Sequence, residues 1–323
     1  MKKIKVAFTD FWDVFDPKDN FITDALSKNF EVELSGDPDF VFCSIFGRKF
    51  LRYDCPRIYY TGENIVPDFN LVDYALGFGH IDFYDRFLWF PHYVLYPRAC
   101  ALAAQKPSLS DDELLDRDFC SYVISNAVSC SERGVMIEKL ASYKPLASGG
   151  RYHNNVGGPV ADKIEFSKGY RFSLAFENSS SRGYTTEKIM ESFAAESVPI
   201  YWGNPDIAKE FNPDSFINCH DFDSFDSAVE YVKKVDADDE LYLKMAKAPI
   251  LIPGCEAAKC LNDSYLSDYL YHVCSQDPKA AIRRNRIYQG KYYEDEARFH
   301  EGIDSVLRLP RRFMRGMKNR LKK

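Results

Sequence analysis

The chain has 323 residues, of which 46% are hydrophobic and 28% are charged. These proportions are typical of folded globular proteins and exclude a collagen-like, low-complexity or wholly disordered chain. The formal net charge is −6, but residues 308–323 contain 8 of the 42 Lys and Arg residues and none of the 48 Asp and Glu residues. The acidic remainder argues against nucleic acid as the main partner, because phosphate binding needs a positive surface.

The length is about twice that of a usual domain, which favours two domains or one large one. No apolar run reaches the length of about 18 residues that a membrane span needs, and Lys2 and Lys3 lead directly into a short strand pattern. We therefore expect a chain that begins in the cytoplasm without a signal peptide. The nine cysteines are scattered and include no C-x-x-C pair, so they are interpreted as reduced core residues rather than as disulfides or a zinc site.

The first third of the chain alternates between strand and helix patterns. A short helix is predicted at Phe21–Leu26. Strands are predicted at Lys5–Phe8, Phe30–Leu34, Phe40–Phe46, Arg57–Tyr60 and Tyr74–Phe78. Such alternation is typical of a doubly wound parallel sheet.

A second alternating region follows a break in the hydrophobic pattern. Residues 106–117 gain Pro, Ser and Asp, which predicts a connection between domains. The strands and helices predicted beyond it are Phe119–Ile124, a helix through Met136 and Leu140, Tyr170–Phe176, a helix at Thr186–Glu196, Val198–Trp202, Ser215–Cys219 and a helix at Ser224–Val235. Repetition of one architecture predicts two Rossmann-like domains, with a ligand site between them at the carboxyl ends of both sheets.

The densest group of polar residues lies between residues 172 and 203. A buried strand ends at Phe176, a polar loop follows, and Thr185 or Thr186 is predicted to cap a helix that begins with Glu187 and Lys188. A solvated lysine beside a capping threonine is the ordinary explanation. The alternative is a nucleotide site, in which Glu187 takes ribose hydroxyls while Lys188 and the helix start take a diphosphate.

Standard nucleotide and hydrolase motifs are absent from the sequence. Gly77 and Gly79 lack the third glycine of a dinucleotide fingerprint, and no P-loop, G-x-S-x-G or H-E-x-x-H motif occurs. Asp221 and Asp223 have a spacing that metal sites use, but hard cations need more oxygen ligands than this pair supplies. Asp223 is instead predicted to cap the next helix.

Both halves of the chain contain short motifs whose combination is highly specific for one protein family. The motifs are Tyr60-Thr61-Gly62-Glu63-Asn64, Phe176-Glu177-Asn178, Gly183-Tyr184-Thr185-Thr186-Glu187-Lys188-Ile189, Val198-Pro199-Ile200-Tyr201-Trp202-Gly203 and His220-Asp221-Phe222. With them the chain resembles the bacterial alpha-1,3-fucosyltransferases of glycosyltransferase family 10, over about residues 55–235.

The resemblance implies an α/β fold of the GT-B type, in which two doubly wound Rossmann-like domains face one another across a cleft. It also implies transfer of L-fucose from GDP-fucose, with inversion, to O3 of N-acetylglucosamine in Lewis-type glycans that contain galactose. By this resemblance, five residues bind the donor: Arg133, Asn178, Tyr184, Glu187 and Lys188. Glu63 is implied as the general base, in the other domain.

The implied chemistry requires no cofactor. Negative charge grows on the diphosphate as the bond to the sugar breaks, and Arg133 and Lys188 would stabilise this charge more than the ground state. These two cations can take the place of a metal ion, so we predict no metal site, with Mn²⁺ at most a non-essential stimulant.

These assignments divide the chain into four parts. Residues 1–116 are predicted as the acceptor-side domain with the general base, 117–275 as the GDP-fucose-binding domain, 276–307 as a helical linking segment and 308–323 as a basic amphipathic tail. The tail carries Phe313, Met317 and Leu321 at spacings of four, which predicts a helix on an anionic membrane surface. We therefore expect a cytoplasmic enzyme that is peripheral on the inner face of the cytoplasmic membrane.

Two other functions stay open from the residues alone. One is an inverting GT-B transferase that uses another nucleotide sugar. The other is a non-catalytic sugar-binding protein, because two doubly wound lobes and many aromatic residues also suit a receptor. The lack of a signal peptide pattern argues against a periplasmic receptor.

Overall fold

A computed structural model describes residues 1–105, 108–125 and 131–303. These residues form two compact units. The first unit comprises residues 1–77, 81–88 and 266–303, and the second comprises residues 78–80 together with the described part of 89–265.

The described elements alternate between strands and helices along most of the chain. Those of the first sheet region are β1 (Lys2–Thr9), α1 (Phe21–Ser27), β2 (Phe30–Leu34), β3 (Phe40–Cys43), β4 (Arg57–Tyr60), β5 (Tyr74–Gly77) and β6 (Phe87–Trp89). Those that follow are α2 (Pro97–Ala103), α3 (Asp111–Leu115), β7 (Asp118–Tyr122), α4 (Ser131–Ala141), β8 (Leu146–Ser148), α5 (Lys163–Ser167), β9 (Tyr170–Phe176), α6 (Glu187–Ala194), β10 (Val198–Trp202), β11 (Ile217–Asn218), α7 (Phe225–Ala237), α8 (Asp239–Ala246), α9 (Ala257–Cys260) and α10 (Tyr265–Cys274). Residues 288–303 are also helical.

The first unit is built on a sheet in the order β2-β1-β3-β4-β5-β6, in which β1 to β5 pair in parallel. Strands β3 and β4 are buried along their whole length, as expected for the centre of a parallel sheet that is covered on both faces. Ile4 and Phe42 of the sheet share one core with Leu26 of α1 and Leu270 of α10. The late part of the chain therefore completes the first unit.

The second unit is built on a parallel sheet in the order β11-β10-β9-β7-β8. The neighbours Ile200 and Tyr201 of β10 belong to different apolar clusters, because successive side chains of a strand point to opposite faces. One cluster includes Val232 of α7, and the other includes Ile189 of α6. Helices therefore cover both faces of this sheet.

The two sheets share one topology. The first runs β2-β1-β3-β4-β5 and the second runs β8-β7-β9-β10-β11, so each reverses its order once, between β1 and β3 or between β7 and β9. In doubly wound sheets, ligands bind outside the carboxyl ends of the strands at this switch point. The predicted α/β class with two doubly wound sheets is confirmed, and each sheet has one expected ligand position.

The division of the chain differs from the predicted boundaries. Residues 276–303, which were predicted as part of a linking segment, belong to the first unit. The described residues between 89 and 116 belong to the second unit, because Ala99 of α2 packs with Ile189 and Phe193 of α6. Most of α10 belongs to the first unit, because Leu270 and Val273 pack into the core beside β1. Both contacts join segments that are distant in sequence, so no local pattern signals them.

The predicted connection at residues 106–117 contains a helix, α3. Ser110 and Glu113 form a capping box, in which each side chain accepts a hydrogen bond from the other residue's backbone N–H. Leu114 is fully buried. The Pro, Ser and Asp residues that indicated a loop therefore include a helix start.

The strand predicted at Ser215–Cys219 is reduced to Ile217–Asn218. The Asn212 side chain accepts from the N–H of Asp214, and the Asn218 side chain accepts from the N–H of His220. These bonds wind both flanks into 3-10 turns, because asparagine competes with the ladder for backbone N–H groups.

Eight cysteines lie within the described residues, where they are free thiols, and six of them are buried. This agrees with their interpretation as reduced core residues. Among the helices that the structure describes, none combines the length and the apolar character of a membrane span. The predicted amphipathic tail, residues 308–323, lies outside the described residues.

Candidate active site

A buried carboxylate joins the end of β9 to the start of α6. The strand ends at Phe176, and the next residue, Glu177, is 0% exposed. Its carboxylate accepts hydrogen bonds from the backbone N–H of Thr186 (2.7 Å) and from the Thr186 hydroxyl (2.6 Å). Thr186 is the N-cap residue of α6, but its hydroxyl makes no capping bond to the helix backbone. The hydroxyl donates to the Glu177 carboxylate instead.

Gly203 makes room for this carboxylate. Its φ is +156°, and a Cβ at this position would lie 2.3 Å from Cγ of Glu177. Glycine is required here both by the backbone conformation and by the close approach of the side chain. The last residue of the motif Val198-Pro199-Ile200-Tyr201-Trp202-Gly203 thus has a structural explanation.

Lys188 is held at the start of α6 by two carboxylates. Its Nζ lies 3.1 Å from Oε2 of Glu177 and 3.4 Å from Oε1 of Glu187, and it donates to the Thr186 hydroxyl at 2.7 Å. Burial by itself lowers the pKa of Lys188, but Glu177 and Glu187 outweigh burial and raise it well above its ordinary value. The carboxylates offset the unfavourable position of a cation at a helix start.

Glu187 is ionised for the same reason. Burial by itself raises the pKa of Glu187, but Lys188 and Lys163 outweigh burial and lower it to about 2. Its side chain is 14% exposed and that of Lys188 is 23% exposed. Both charged groups therefore remain accessible to a ligand.

Arg133 joins α4 to the same strand end and is only 5% exposed. Its Nη2 donates to the carbonyl oxygens of Phe176 (2.8 Å) and Glu177 (3.2 Å) and to Oδ1 of Asn178 (3.2 Å). These contacts place the guanidinium beside the first two residues that follow β9.

The charged side chains surround a pocket of about 230 Å³. Its wall contains four of the five predicted donor-binding residues: Arg133, Asn178, Glu187 and Lys188. Residues 123–125, which follow β7, complete the wall beside the end of β9. The pocket therefore lies at the switch point of the second sheet, where a doubly wound sheet binds its ligand. Its cations and the helix start suit an anionic group.

Tyr184, the fifth predicted residue, is absent from the described residues that line this pocket. Its side chain is 2% exposed, and its ring packs edge to face on Phe78 with centroids 4.9 Å apart. The next residue, Thr185, donates to the buried Glu210 at 3.0 Å, and burial raises the pKa of Glu210. Buried contacts thus hold the loop before α6, and a direct donor contact of Tyr184 stays a prediction.

Glu63, the predicted general base, belongs to the first unit and is exposed. The preceding strand, β4, leads into a turn in which the Thr61 hydroxyl accepts from the Glu63 N–H (3.0 Å) and donates to the Glu63 carbonyl (3.1 Å). The N–H of Ile65 donates to the same carbonyl at 2.6 Å. The turn fixes the backbone and leaves the carboxylate in contact with solvent.

Aromatic side chains follow the two strands at the switch point of the first sheet. After β1, Phe11 and Phe15 stack with centroids 4.0 Å apart, and Trp12 packs edge-on against Phe15 at 5.1 Å. After β3, Phe46 is 56% exposed, and its N–H donates to a carbonyl of the loop after β1 at 3.0 Å. The carboxyl edge of this sheet presents aromatic faces and the acid Glu63.

Within the described ranges, no three His, Cys, Asp or Glu side chains are placed to hold a metal ion together. Asp221 accepts a hydrogen bond from Asn218 at 2.8 Å. The cap of α7 is Ser224, whose hydroxyl accepts from the N–H of Ser227, so the prediction that Asp223 caps this helix is wrong. Metal independence of the reaction stays a prediction.

No role was predicted for three charged residues of the site, Glu177, Lys163 and Glu191, although Glu177 lies within the motif Phe176-Glu177-Asn178. Glu177 directly follows a buried strand, a position where functional side chains are expected. Glu191 follows Glu187 by four residues, so helical spacing places both on one face. Lys163 lies on α5, with Nζ 3.2 Å from Oε2 of Glu191, and only the tertiary structure brings it to the pocket.

Comparison with known proteins supports the resemblance over both units. The model of the alpha-(1,3)-fucosyltransferase FucT N-terminal domain matches residues 6–96, and that of the glycosyltransferase family 10 (fucosyltransferase) C-terminal region matches residues 116–247. An alpha-(1,3)-fucosyltransferase FucT of Helicobacter pylori is 36% identical over a 283-residue alignment, and the match covers 75% of this chain and 59% of that protein. The chain thus spans about three fifths of the length of this relative.

Solved structures show the same relationship. A crystal structure of an alpha1,3-fucosyltransferase is 30% identical, with a TM-score of 0.77, and the match covers 89% of this chain and 93% of that chain. A crystal structure of an alpha1,3-fucosyltransferase with GDP-fucose is 30% identical, with a TM-score of 0.71 and coverage of 89% and 92%. The predicted GT-B fold class is thereby confirmed. On the matched domains, the shared fold and the motifs around the pocket, this chain belongs to glycosyltransferase family 10.

Proposed function

We propose that this chain is an inverting alpha-1,3-fucosyltransferase that moves L-fucose from GDP-fucose to O3 of N-acetylglucosamine in N-acetyllactosamine-type glycans, as in Lewis antigen synthesis. The observation that carries the proposal is the pocket at the switch point of the second sheet, with Arg133, Asn178, Glu187 and Lys188 in its wall. A related alpha1,3-fucosyltransferase whose structure was solved with GDP-fucose supports the choice of donor.

In this proposal the donor binds with its charged part at the start of α6. Glu187 accepts hydrogen bonds from ribose hydroxyls, because it stays ionised with a pKa of about 2. Lys188 and Arg133 contact the diphosphate and stabilise the negative charge that grows on the β-phosphate as the bond to fucose breaks. Asn178 and Tyr184 position the nucleotide and the sugar.

Inversion needs a base that removes the acceptor proton on the face opposite the departing diphosphate. We assign this role to Glu63. Its exposed carboxylate is accessible to an incoming hydroxyl, while the Thr61 turn holds its backbone. The acceptor hydroxyl attacks the anomeric carbon, its proton passes to Glu63, and GDP leaves with the electrons of the broken bond.

The acceptor side of the proposal rests on the aromatic residues after β1 and β3. Sugar rings have apolar faces that pack well on aromatic rings, and Trp12 and Phe46 are accessible at the expected ligand position of the first sheet. A galactose and N-acetylglucosamine acceptor would bind there, beside Glu63.

The proposal includes no required metal ion, and allows only a non-essential stimulation by Mn²⁺. It also includes a cytoplasmic location at the inner face of the cytoplasmic membrane, held through the basic tail at residues 308–323. A comparison of pelleting with anionic vesicles between the full chain and a chain ending at Arg308 tests this part. Equal pelleting of the two chains would reject it.

The central test measures GDP release from GDP-fucose with and without N-acetyllactosamine. We expect release that depends on the acceptor, and a fall in kcat of at least about 100-fold for Glu63→Gln with the affinity for GDP retained. Glu31→Gln, an exposed acid on β2 of the same unit, is the matched control and keeps wild-type turnover.

Three outcomes would count against the proposal. Equal turnover in wild type and Glu63→Gln removes Glu63 from the role of base. Turnover that prefers UDP-sugars over GDP-fucose favours the other GT-B transferase. Sugar binding without any turnover favours the non-catalytic binding protein.

A further inference from the structure

The pocket beside α6 extends past the residues assigned to the ribose and diphosphate. The wall continues one helical turn beyond Glu187 and Lys188 to Glu191 and across to Lys163 of α5. This extension has no role in the function proposed above.

Lys163 and Glu191 form a fixed ion pair in this extension. Lys163 Nζ lies 3.3 Å from Oε1 and 3.2 Å from Oε2 of Glu191, so it donates to both oxygens. The Glu191 side chain is 18% exposed and that of Lys163 is 43% exposed. Each group therefore keeps surface through which a ligand can reach it.

Helix geometry places the pair at the distance of a nucleobase. Glu187 and Glu191 are four residues apart, on one face of α6 and about 6 Å apart along its axis. In the proposed function the diphosphate lies at the start of α6 and Glu187 takes the ribose hydroxyls. The base is attached to the other side of the ribose from the diphosphate, so it extends towards the next turn of the helix. The apolar side chains of Val123, Ile124 and Leu174 in the same wall offer a surface for a flat ring.

The charges of the pair match one base better than the others. Guanine presents an acceptor, O6, beside two donors, N1–H and N2–H₂, so an ammonium next to a carboxylate complements this edge. Adenine presents a donor, N6–H₂, where guanine has O6, so two hydrogen-bond donors, N6–H₂ and the ammonium, would face each other. Uracil matches at two positions but has an acceptor where guanine has N2–H₂, and this acceptor would face the carboxylate.

We propose that Glu191 and Lys163 form the guanine-reading subsite of the donor pocket, with the Glu191 carboxylate accepting from N1–H and N2–H₂ and Lys163 donating to O6. This inference rests on the proposed GDP-fucose donor and explains its base. The pair is a specificity determinant and takes no part in the transfer step.

The first test uses ligands alone, so it does not depend on how a variant folds. Calorimetry of the wild-type chain with GDP and with IDP, which lacks the N2 amino group, measures the bond to N2. A hydrogen bond to a charged group contributes about 1.5–3 kcal/mol, which corresponds to about 10- to 150-fold in Kd. We expect IDP to bind at least about 10-fold more weakly than GDP, and ADP and UDP to bind more weakly still.

The second test identifies the residue that makes this discrimination. In Glu191→Gln the ratio of the Kd values for IDP and GDP should fall to about threefold or less, because the amide no longer offers two charged acceptors. Lys163→Met should weaken GDP binding but keep the preference for GDP over IDP, because the Glu191 carboxylate remains. The matched control is Glu165→Gln. Glu165 is an exposed residue of α5 that pairs with Arg98, and its variant should bind GDP and IDP as the wild type does.

The outcomes separate this inference from the proposed function. An unchanged IDP to GDP ratio in Glu191→Gln, with normal GDP affinity in the wild type, means that the pair only fastens α5 to α6, and the inference fails alone. Equal binding of GDP and IDP by the wild-type chain also overturns the inference. Failure of the wild-type chain to bind GDP at all overturns the proposed function instead.

Discussion

Each unit contains a cluster of buried, paired charges, and the two clusters differ in access. In the first unit, Arg57, Asp73 and Arg284 have side chains that are 0% exposed and Glu294 is 7% exposed. In the second unit, Lys188 and Glu187 are 23% and 14% exposed and line a pocket.

The first cluster fastens residues 283–294 to the sheet. Arg57 Nη2 lies 2.6 Å from Oε1 of Glu294, and it also donates to carbonyl oxygens near β4. Asp73 accepts from the backbone N–H groups of Arg283 and Arg284 at 2.7 Å and 2.9 Å and pairs with the Arg284 side chain. Their hydrogen bonds are made with the protein itself, which is typical of a structural role.

The comparison shows that burial and charge do not by themselves mark a functional site. Both clusters contain a glutamate whose pKa is lowered to about 2. What separates them is a pocket at the carboxyl ends of the strands, into which only the second cluster presents its cations. The following predictions test whether the first cluster contributes to stability and the second to donor chemistry.

The largest effect on stability is expected for Arg284→Met. This change leaves Asp73 buried without its charged partner, and breaking such a pair costs about 3–5 kcal/mol. Urea unfolding should show this loss in the free energy of unfolding. Arg286→Met, which removes an exposed pair with Asp54, is the control and should cost no more than about 1 kcal/mol. Equal losses in the two variants would reject a structural role for the first cluster.

The largest effect on catalysis is expected for Lys188→Gln. The amide keeps a donor for Glu177 but removes the charge that faces the diphosphate, so kcat should fall by about 100- to 1,000-fold. The measurement is GDP release from GDP-fucose with acceptor present. Lys209→Gln, on the surface and 57% exposed, is the control and should keep wild-type turnover. A fall of less than about threefold for Lys188→Gln would contradict the assignment.

The pH dependence of stability should be similar in the two clusters. Glu294 and Glu187 each have a pKa lowered from 4.5 to about 2. Burial alone raises the pKa, but Arg57 together with Arg298 and Arg284 outweighs burial for Glu294, and Lys188 together with Lys163 outweighs it for Glu187. A lowered pKa contributes stability that is fully present above pH 4.5 and is lost as the pH falls towards 2.

We therefore expect the destabilisation caused by Glu294→Gln or Glu187→Gln to be larger at pH 7 than at pH 3, as measured by urea unfolding. Only Glu187→Gln should also weaken GDP binding at pH 7. A destabilisation that grows on acidification would show that these carboxylates are not held ionised by their partners.

The smallest effects concern two helix caps. Asn20 caps α1 with Oδ1, which accepts from the N–H groups of Ile22 and Thr23, so Asn20→Ala should cost about 1 kcal/mol of stability and leave GDP binding unchanged. Thr186→Val removes a hydroxyl that contacts Glu177 and Lys188 and should weaken GDP binding about fivefold, the effect of one hydrogen bond. Calorimetry and urea unfolding of both variants check this; unchanged GDP affinity in Thr186→Val would separate the hydroxyl from the site.

Much of the secondary structure could be predicted because its determinants are local. The strands Phe30–Leu34, Arg57–Tyr60, Tyr170–Phe176 and Val198–Trp202 have the predicted bounds, since continuous apolar runs between polar breaks need little tertiary context. The short strands β6 and β8 and helices such as α2, α5 and α8 have no comparable pattern and were not predicted. The prediction of a strand over Ser215–Cys219 was wrong at both ends, because asparagine side chains accept hydrogen bonds from the backbone N–H groups of its flanks.

The candidate site was predictable where its residues follow a strand or begin a helix. Asn178, Glu187 and Lys188 lie in one strand, loop and helix unit, so their proximity follows from the chain itself. Arg133 was identified through resemblance alone, and its contact with the end of β9 joins segments more than forty residues apart. Glu177 directly follows a strand, but only the structure shows that it contacts both Thr186 and Lys188.

The amino-acid sequence by itself determined the α/β class, the two parallel sheets and the family, because hydrophobic periodicity and short motifs are encoded locally. Only the tertiary structure decided which unit owns α2 and α10, why Gly203 must be glycine, and that Lys163 of α5 meets Glu191 of α6. The physical reason is that these features depend on packing between segments distant in sequence, where steric contact and the pairing of buried charges select the arrangement.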